Sequence, residues 1–124
     1  MAWKFSSDRP VYFQIAERIV KKVLSGEYAV GEQIPSVRQI ALEAAVNPNT
    51  VQHAFSELES EGLIISKGTL GRFVTEDKEV IEASRKKLAE QLVKEFAENL
   101  EELSISKEQA IKMIEEVWYE YSGV

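Results

Sequence analysis

Two short amphipathic segments that follow each other almost without a gap are the feature that most constrains the fold. The first begins after Ser36, a favoured helix N-cap, and keeps apolar residues at helical spacing to about residue 45. The second begins at Asn47 and Pro48, a favoured N-cap and a favoured first helical residue, and runs to Ser60. With so few residues between them, the two helices must turn sharply and pack against each other.

The flanking segments complete a small domain. Upstream, apolar residues at four-residue spacing predict a helix over about residues 10–25. Downstream, Gly62 predicts a left-handed helix end, and two β-rich runs at 63–66 and 72–75 with a glycine-containing connector predict a hairpin. At most a short strand is expected around Gln33-Ile34. Three helices and a hairpin in this order are the layout of a winged helix-turn-helix.

The last part of the chain has a different pattern. Residues 77–102 and 107–121 predict two amphipathic helices, the second opened by a capping box of Ser106 and Gln109. Two such helices cannot bury both apolar stripes fully against each other, so we expect them to pack on a second copy of the chain. The predicted dimer interface consists of Leu88, Leu92, Phe96, Leu100, Ile111, Ile114, Trp118 and Tyr121.

The expected fold is therefore mainly α with a small β-hairpin: a winged helix-turn-helix domain at residues 1–75, followed by two dimerisation helices within residues 76–124. The formal net charge of −6 at first argues against binding to phosphate. However, residues 1–75 hold equal numbers of basic and acidic side chains, so the whole negative charge falls on residues 76–124. A neutral N-terminal part can still carry a local basic patch.

The helix predicted over about residues 49–60 has the pattern of a DNA-reading helix. Its apolar positions, among them Val51 and Phe55, share one side, and small polar groups lead the other. Asparagine and glutamine suit the adenine edge, and helix N-terminal N–H groups suit phosphate. An ordinary solvated helix face shows the same pattern, so the neighbouring elements must decide. The residues that we assign to DNA contact are Ser36, Arg38, Asn47, Asn49, Thr50, Gln52, His53, Lys67 and Gly68.

Two further positions bear on this assignment. Arg38 falls in the first turn of its helix, where a positive charge opposes the helix dipole and contributes little to folding, so a phosphate or guanine ligand is the favoured interpretation. Lys67 and Gly68 at the hairpin tip would place a cation and bare backbone against phosphate or the minor groove. A plain tight turn with a solvated lysine explains these two residues equally well.

Four motifs together resemble the GntR family of bacterial transcription regulators. They are PSVRQIA at 35–41, VNPNTVQ at 46–52, LESEGLI at 58–64 and GRFV at 71–74, and the resemblance covers about residues 10–75. The Asn-Pro-Asn-Thr-Val run and the short C-terminal part are similar to the YtrA-type subgroup. This resemblance implies a homodimer that binds double-stranded promoter DNA at an inverted repeat and represses a nearby operon, often one for a transporter.

The resemblance also implies roles for residues. The arginine of the second helix, the start of the third and the wing tip touch DNA in the family, and these positions hold Arg38, Asn47, Asn49, Thr50, Gln52, Lys67 and Gly68 here. The sequence departs from the family at three positions. Pro48 stands where many relatives have an arginine, although the subgroup shares the proline. In the wing, Gly68 replaces a basic residue and Arg72 replaces a threonine.

Other functions fit the sequence less well. With no cysteine and one histidine, the sequence predicts no metal site, no cofactor and no enzyme, and His53 with Glu57 is a typical surface pair. A winged helix that binds a protein instead of DNA is the alternative. Trp118, Tyr119 and Tyr121 fit either an interface core or a pocket for a small-molecule effector of unidentified chemistry. No signal peptide or membrane span is predicted, so we expect a cytoplasmic protein.

Overall fold

The computed structural model describes the backbone of residues 2–122 and the side chains of residues 2–120. Within these residues the chain forms helices and one two-stranded antiparallel hairpin, which confirms the mainly α fold with a small β-hairpin. The chain divides into two compact units, Met1–Leu88 and Ala89–Val124. The elements are α1 (Val11–Leu24), α2 (Val37–Ala44), α3 (Pro48–Ser60), β1 (Ile64–Ser66), β2 (Arg72–Val74), α4 (Lys78–Glu102) and α5 (Lys107–Ser122).

The first unit is organised around α3. The helices α1 and α2 both pack on it, and Phe55 of α3 lies fully buried among Ile15 and Ile19 of α1 and Ile40 of α2. Leu63, which follows α3, closes the same core. Complete burial of a large apolar side chain stabilises a fold by about 1.5–3 kcal/mol, so this cluster supplies much of the stability of the unit.

The turn between α2 and α3 is built from backbone geometry and one side-chain cap. Ala45 ends α2 in the left-handed conformation, with φ +59°. The N–H of Val46 donates to the carbonyl oxygen of Ala41 at 3.0 Å. Asn47 then caps α3, because its side-chain oxygen accepts from the N–H of Asn49 at 2.7 Å. The left-handed residue lets the chain reverse within three positions, so α3 starts at once in its packed orientation.

The hairpin pairs β1 and β2 antiparallel, with Ile64 opposite Val74 and Ser66 opposite Arg72. The short strand expected near Gln33-Ile34 is present only as an isolated bridge between Gln33 and Phe73 on the other edge of β2. The sequence expectation that Gly62 follows α3 in the left-handed region is confirmed by its φ of +80°.

The residues before α1 pack on the core of the first unit. Trp3 is 8% exposed, although it lies outside any helix or strand. The guanidinium of Arg18 lies 4.9 Å from the centre of its ring, and the ammonium of Lys22 lies 5.7 Å from it.

Burial, together with the carboxylates of Glu43 and Glu27, raises the pKa of Tyr28 to about 12. This phenol therefore stays protonated at neutral pH.

The start of α4 belongs to the first unit. Val80 and Ile81 pack against the core, and Ser84 and Leu88 are buried. Leu88, which the sequence suggested for a dimer interface, thus has its apolar neighbours within one chain. The compact first unit extends to this residue.

The second unit contains the rest of α4 and α5. The predicted capping box at the start of α5 is present: the Ser106 hydroxyl accepts from the Gln109 N–H at 3.1 Å, and the Gln109 side chain accepts from the Ser106 N–H at 2.9 Å. The turn before it places Ser104 in the left-handed region, with φ +59°. Two helices joined by so short a turn form an antiparallel pair.

Candidate nucleic-acid interface

The helix α3 separates an apolar side from a polar N-terminal end. Its core-facing residues Val51, Ala54, Phe55 and Leu58 are at most 2% exposed. On the other side, Asn49, Gln52 and His53 are exposed, and Thr50 is half-buried. The start of α3 therefore presents polar side chains while the opposite side fixes the helix on its scaffold, which is the requirement for a helix that enters a major groove.

Two of the polar residues assigned from the sequence also form helix caps. The side-chain oxygen of Asn47 caps α3. Ser36 and Gln39 form a capping box at the start of α2: the Ser36 hydroxyl accepts from the Gln39 N–H at 3.1 Å, and the Ser36 N–H donates to the Gln39 side chain at 2.7 Å. Both caps are exposed, so the hydroxyl hydrogen of Ser36 and the amide nitrogen of Asn47 still face solvent.

His53 has neighbours that the sequence analysis did not identify. Its ring stacks on Tyr12 of α1, with the ring centres 3.6 Å apart and the planes 12° from parallel. The Nε2 atom lies 4.0 Å from a carboxylate oxygen of Glu57, in line with the surface pair that the spacing indicated. Tyr12 belongs to the helix predicted over about residues 10–25, and the pattern of that helix gave no sign of this contact. The stack holds the imidazole on the flank of α3 while leaving about half of its surface open.

Gln52 is contacted from the wing. The guanidinium of Arg72 in β2 donates from Nε to Glu59 at 2.5 Å and from Nη2 to Oε1 of Gln52 at 3.4 Å. It also lies over the ring of Phe55, 5.0 Å from its centre. In the sequence Arg72 stood out only as a departure from the wing pattern of the family. No pattern within β2 indicated that its side chain would reach α3.

Arg38 is exposed on the first turn of α2. It forms no ion pair with any residue that the structure describes. A long cationic side chain that is held by no carboxylate remains available to an anion from outside the protein. This is the environment that a phosphate or guanine ligand requires.

The wing tip is a short turn held by a hydrogen bond from Gln33. Residues Gly68–Leu70 form a 3-10 turn, and the side-chain nitrogen of Gln33 donates to the carbonyl oxygen of Leu70 at 2.7 Å. Gly68 has a φ of +58° and open space where a Cβ atom would stand. The ammonium of Lys67 lies 4.6 Å from the centre of the Phe73 ring. The structure thus presents the bare backbone of Gly68 at the tip and keeps the lysine beside it.

Within the described residues, no cluster of three or more acidic or histidine side chains is arranged to hold a metal ion. None of the helices in the described part of the chain combines the length and the apolar character that a membrane crossing requires.

The second unit carries an apolar groove of about 590 Å³. Its walls come from both helices of that unit, and Trp118 is 67% and Phe96 42% exposed. The lining residues are Leu92, Val93, Phe96, Met113, Ile114, Val117 and Trp118. Four residues of the predicted interface, Leu92, Phe96, Ile114 and Trp118, therefore share this groove.

The other predicted interface residues lie elsewhere. Leu100 and Ile111 line an adjoining depression in the same unit. Leu88 is 8% exposed in the core of the first unit, so we leave it out of the proposed interface. The side chain of Tyr121 lies outside the described residues.

Comparison with known proteins identifies relatives over most of the chain. The family model for bacterial regulatory proteins of the gntR family matches residues 11–74. The uncharacterized HTH-type transcriptional regulator YhcF of Bacillus subtilis is 33% identical over 90% of this chain and 92% of its own length. The HTH-type transcriptional repressor YtrA of the same organism is 35% identical, over 69% of this chain and 68% of its own.

Solved structures agree with this. A GntR family transcriptional regulator from Listeria monocytogenes has a TM-score of 0.79 and 35% identity, and covers 90% of this chain and 98% of its own. The DNA-binding domain of AraR in complex with an operator has a TM-score of 0.53 and 26% identity, over 60% of this chain and 92% of its own. These family members are transcription regulators and not enzymes.

Proposed function

Because the chain belongs to the gntR family of bacterial regulatory proteins, and is thus a DNA-binding transcription regulator, we propose that it represses transcription as a homodimer on an inverted-repeat operator. In this proposal the winged helix-turn-helix at residues 1–75 reads DNA, and residues 76–124 hold two copies together. The similarity to the repressor YtrA supports the direction of regulation.

The observation that carries the proposal is the polar end of α3. Asn49, Gln52 and His53 are exposed there, while the other side of the helix is fully packed. A helix held in this way can lower its first turns into a major groove without uncovering apolar surface. We propose that these side chains and Thr50 contact base edges.

Cations and the wing tip supply the remaining proposed DNA contacts. Arg38 lies on the neighbouring helix without an ion pair among the described residues, and we assign it to a phosphate or a guanine. Lys67 and Gly68 are assigned to the backbone beside the minor groove, where an exposed glycine allows close approach. Ser36 and Asn47 contribute the polar atoms that their caps leave free. The AraR domain on its operator supports this use of the fold.

The apolar groove of the second unit supports self-association. Phe96 and Trp118 remain largely exposed although each is large enough to add about 1.5–3 kcal/mol when buried. A groove of this character in water is stabilised by covering it, and a two-fold axis would bring the same apolar face of a second copy against it. Two copies would then place two α3 helices in successive major grooves, about one helical turn or a multiple of it apart.

The test is a titration of the purified protein against fluorescent fragments of its own upstream promoter and a shuffled fragment, at two salt concentrations. Its mass in solution is measured alongside. We expect tight binding to the promoter by a dimer and weaker binding as salt rises, because each neutralised phosphate releases counterions. We expect the DNA complex to contain two chains and to cover a two-fold-symmetric site.

Two results would count against the proposal. A protein that binds the promoter and the shuffled fragment equally is no sequence-specific repressor of its own operon. Absence of DNA binding at every salt concentration would favour the alternative, a winged helix whose polar face meets a partner protein, and the net charge of −6 would then explain the weak attraction to phosphate.

A further inference from the structure

Arg72 links the wing to the helix that we propose reads DNA. It stands in β2, and its side chain crosses to α3, where it pairs with Glu59 and reaches Gln52. Its guanidinium lies over Phe55, which is fully buried. Three contacts on one helix fix the position of this arginine, and the carboxylate of Glu59 balances its charge.

The chemistry of these contacts determines how the amide of Gln52 is turned. A guanidinium has donors and no acceptor, so only the oxygen of the amide can face it. Oε1 of Gln52 is therefore directed toward the wing, 3.4 Å from Nη2 of Arg72. The amide nitrogen lies on the other side, 3.5 Å from the hydroxyl of Ser56, which itself donates to the backbone oxygen of Gln52 at 3.0 Å.

We propose that Arg72 is a positioning residue that sets the base preference of Gln52, an inference that rests on the proposed DNA-reading role of α3. A glutamine that recognises adenine directs its oxygen and its nitrogen at the same base edge. With Oε1 turned to the wing, Gln52 offers the groove only a donor. A hydrogen-bond donor can pair with guanine, thymine or adenine, each of which has an acceptor in the major groove. It cannot pair with cytosine, which presents only a donor there.

Removing the donors of Arg72 frees the amide oxygen for the base. The matched variant is Arg72→Met, since methionine keeps an apolar stem over Phe55 but cannot donate a hydrogen bond. Wild type and variant are each used to select duplexes from a random-sequence DNA pool. At one position in each half-site we expect wild type to exclude cytosine without requiring adenine. The variant should prefer adenine there by about fivefold or more, the discrimination typical of a bidentate pair.

Controls separate this effect from lost charge and from misfolding. Lys67→Met removes a cation from the same hairpin; it should weaken binding to all duplexes alike and leave the selected sequence unchanged. Gln52→Ala should lose the preference at the affected position. In that background, adding Arg72→Met should change no base preference further, because the residue that Arg72 positions is gone. Thermal unfolding of each variant shows whether the hairpin is retained.

The results distinguish the failure of this inference from that of the proposed function. If wild type selects no sequence, α3 does not read DNA and both fail. If wild type selects a sequence that Arg72→Met selects unchanged, or if the preference shifts equally in the Gln52→Ala background, the proposed function stands and the positioning role is wrong.

Discussion

In the unit Met1–Leu88 the large apolar side chains of three helices and a hairpin lie against one another, whereas in Ala89–Val124 those of two helices lie at the surface. The first unit has single exposed apolar residues, such as Leu42 and Leu70, that are far apart in sequence. The second has a continuous groove. The first unit thus completes its own core, whereas the second keeps large apolar side chains exposed.

This difference assigns a task to each unit. A unit with a complete core can hold exposed polar side chains in fixed places, as the contacts of Gln52 and His53 illustrate. A helix pair with an open groove gains stability only by association.

The largest effect is expected from the choice of truncation site. A chain cut after residue 75 loses Val80, Ile81 and Leu88, which cover the core of the first unit. Since Leu88 alone should contribute about 1.5–3 kcal/mol, we expect residues 1–75 to be several kcal/mol less stable than residues 1–88. Urea unfolding followed by the fluorescence of Trp3, the one tryptophan left in both pieces, measures this difference.

The same two pieces test the proposed functional division at residues 75 and 76. We expect residues 1–88 to sediment as a monomer and to bind a single half-site weakly. Equal urea midpoints for the two pieces would show that the start of α4 is not part of the first core. A dimer formed by residues 1–88 would place the interface outside the groove.

The second-largest effect is expected on dimerisation through the apolar groove. Phe96→Glu puts a charge where the second copy is proposed to pack, and we expect the dimer dissociation constant to rise roughly 30-fold or more, as for a central interface residue. Asn99→Glu adds the same charge on an exposed position of α4 outside the groove lining and is the matched control. Sedimentation over a concentration series measures both. Equal dissociation constants for the two variants would contradict the proposed interface.

A smaller effect, and one confined to the first unit, is expected at Arg38. Arg38→Ala should lower promoter affinity by about 1–3 kcal/mol if the guanidinium reads a base. Its folding stability should stay the same or rise slightly, because a cation on the first turn of α2 opposes the helix dipole. Arg85→Ala, which removes an exposed pair with Glu82 on α4, is the control and should leave affinity unchanged. Unchanged affinity in Arg38→Ala at fixed salt would remove it from the interface.

The sequence predicted the elements of both units well because the signals are local. Caps such as Ser36 and Ser106, the helical spacing of apolar residues and Gly62 each act within a few positions, and each was found as expected. The identity of the polar residues on α3 was equally readable, since a helix with one apolar side fixes which residues face outward.

Contacts between distant segments were not readable. The stack of Tyr12 on His53 joins α1 to α3, and the contact of Arg72 with Gln52 joins the wing to α3. No periodicity within one element encodes either pair, because each depends on how two elements pack. The burial of Leu88 in the first unit has the same cause, since α4 continues through the boundary without a break in its pattern.

The smallest effect is expected at the turn that orients α3. Ala45 adopts a φ of +59°, a conformation that costs an L-residue with a Cβ atom roughly 1–2 kcal/mol and costs glycine little. Because glycine loses more backbone entropy on folding, by about 0.5–1 kcal/mol, we expect Ala45→Gly to stabilise the first unit by about 0.5–1 kcal/mol. Ala44→Gly is the matched control, since this neighbour is helical and 1% exposed, and its replacement should destabilise by about 1 kcal/mol or more. A higher urea midpoint for Ala45→Gly beside a lower one for Ala44→Gly would show that residue 45 is strained in the left-handed conformation. A loss in both variants would mean that it is not strained.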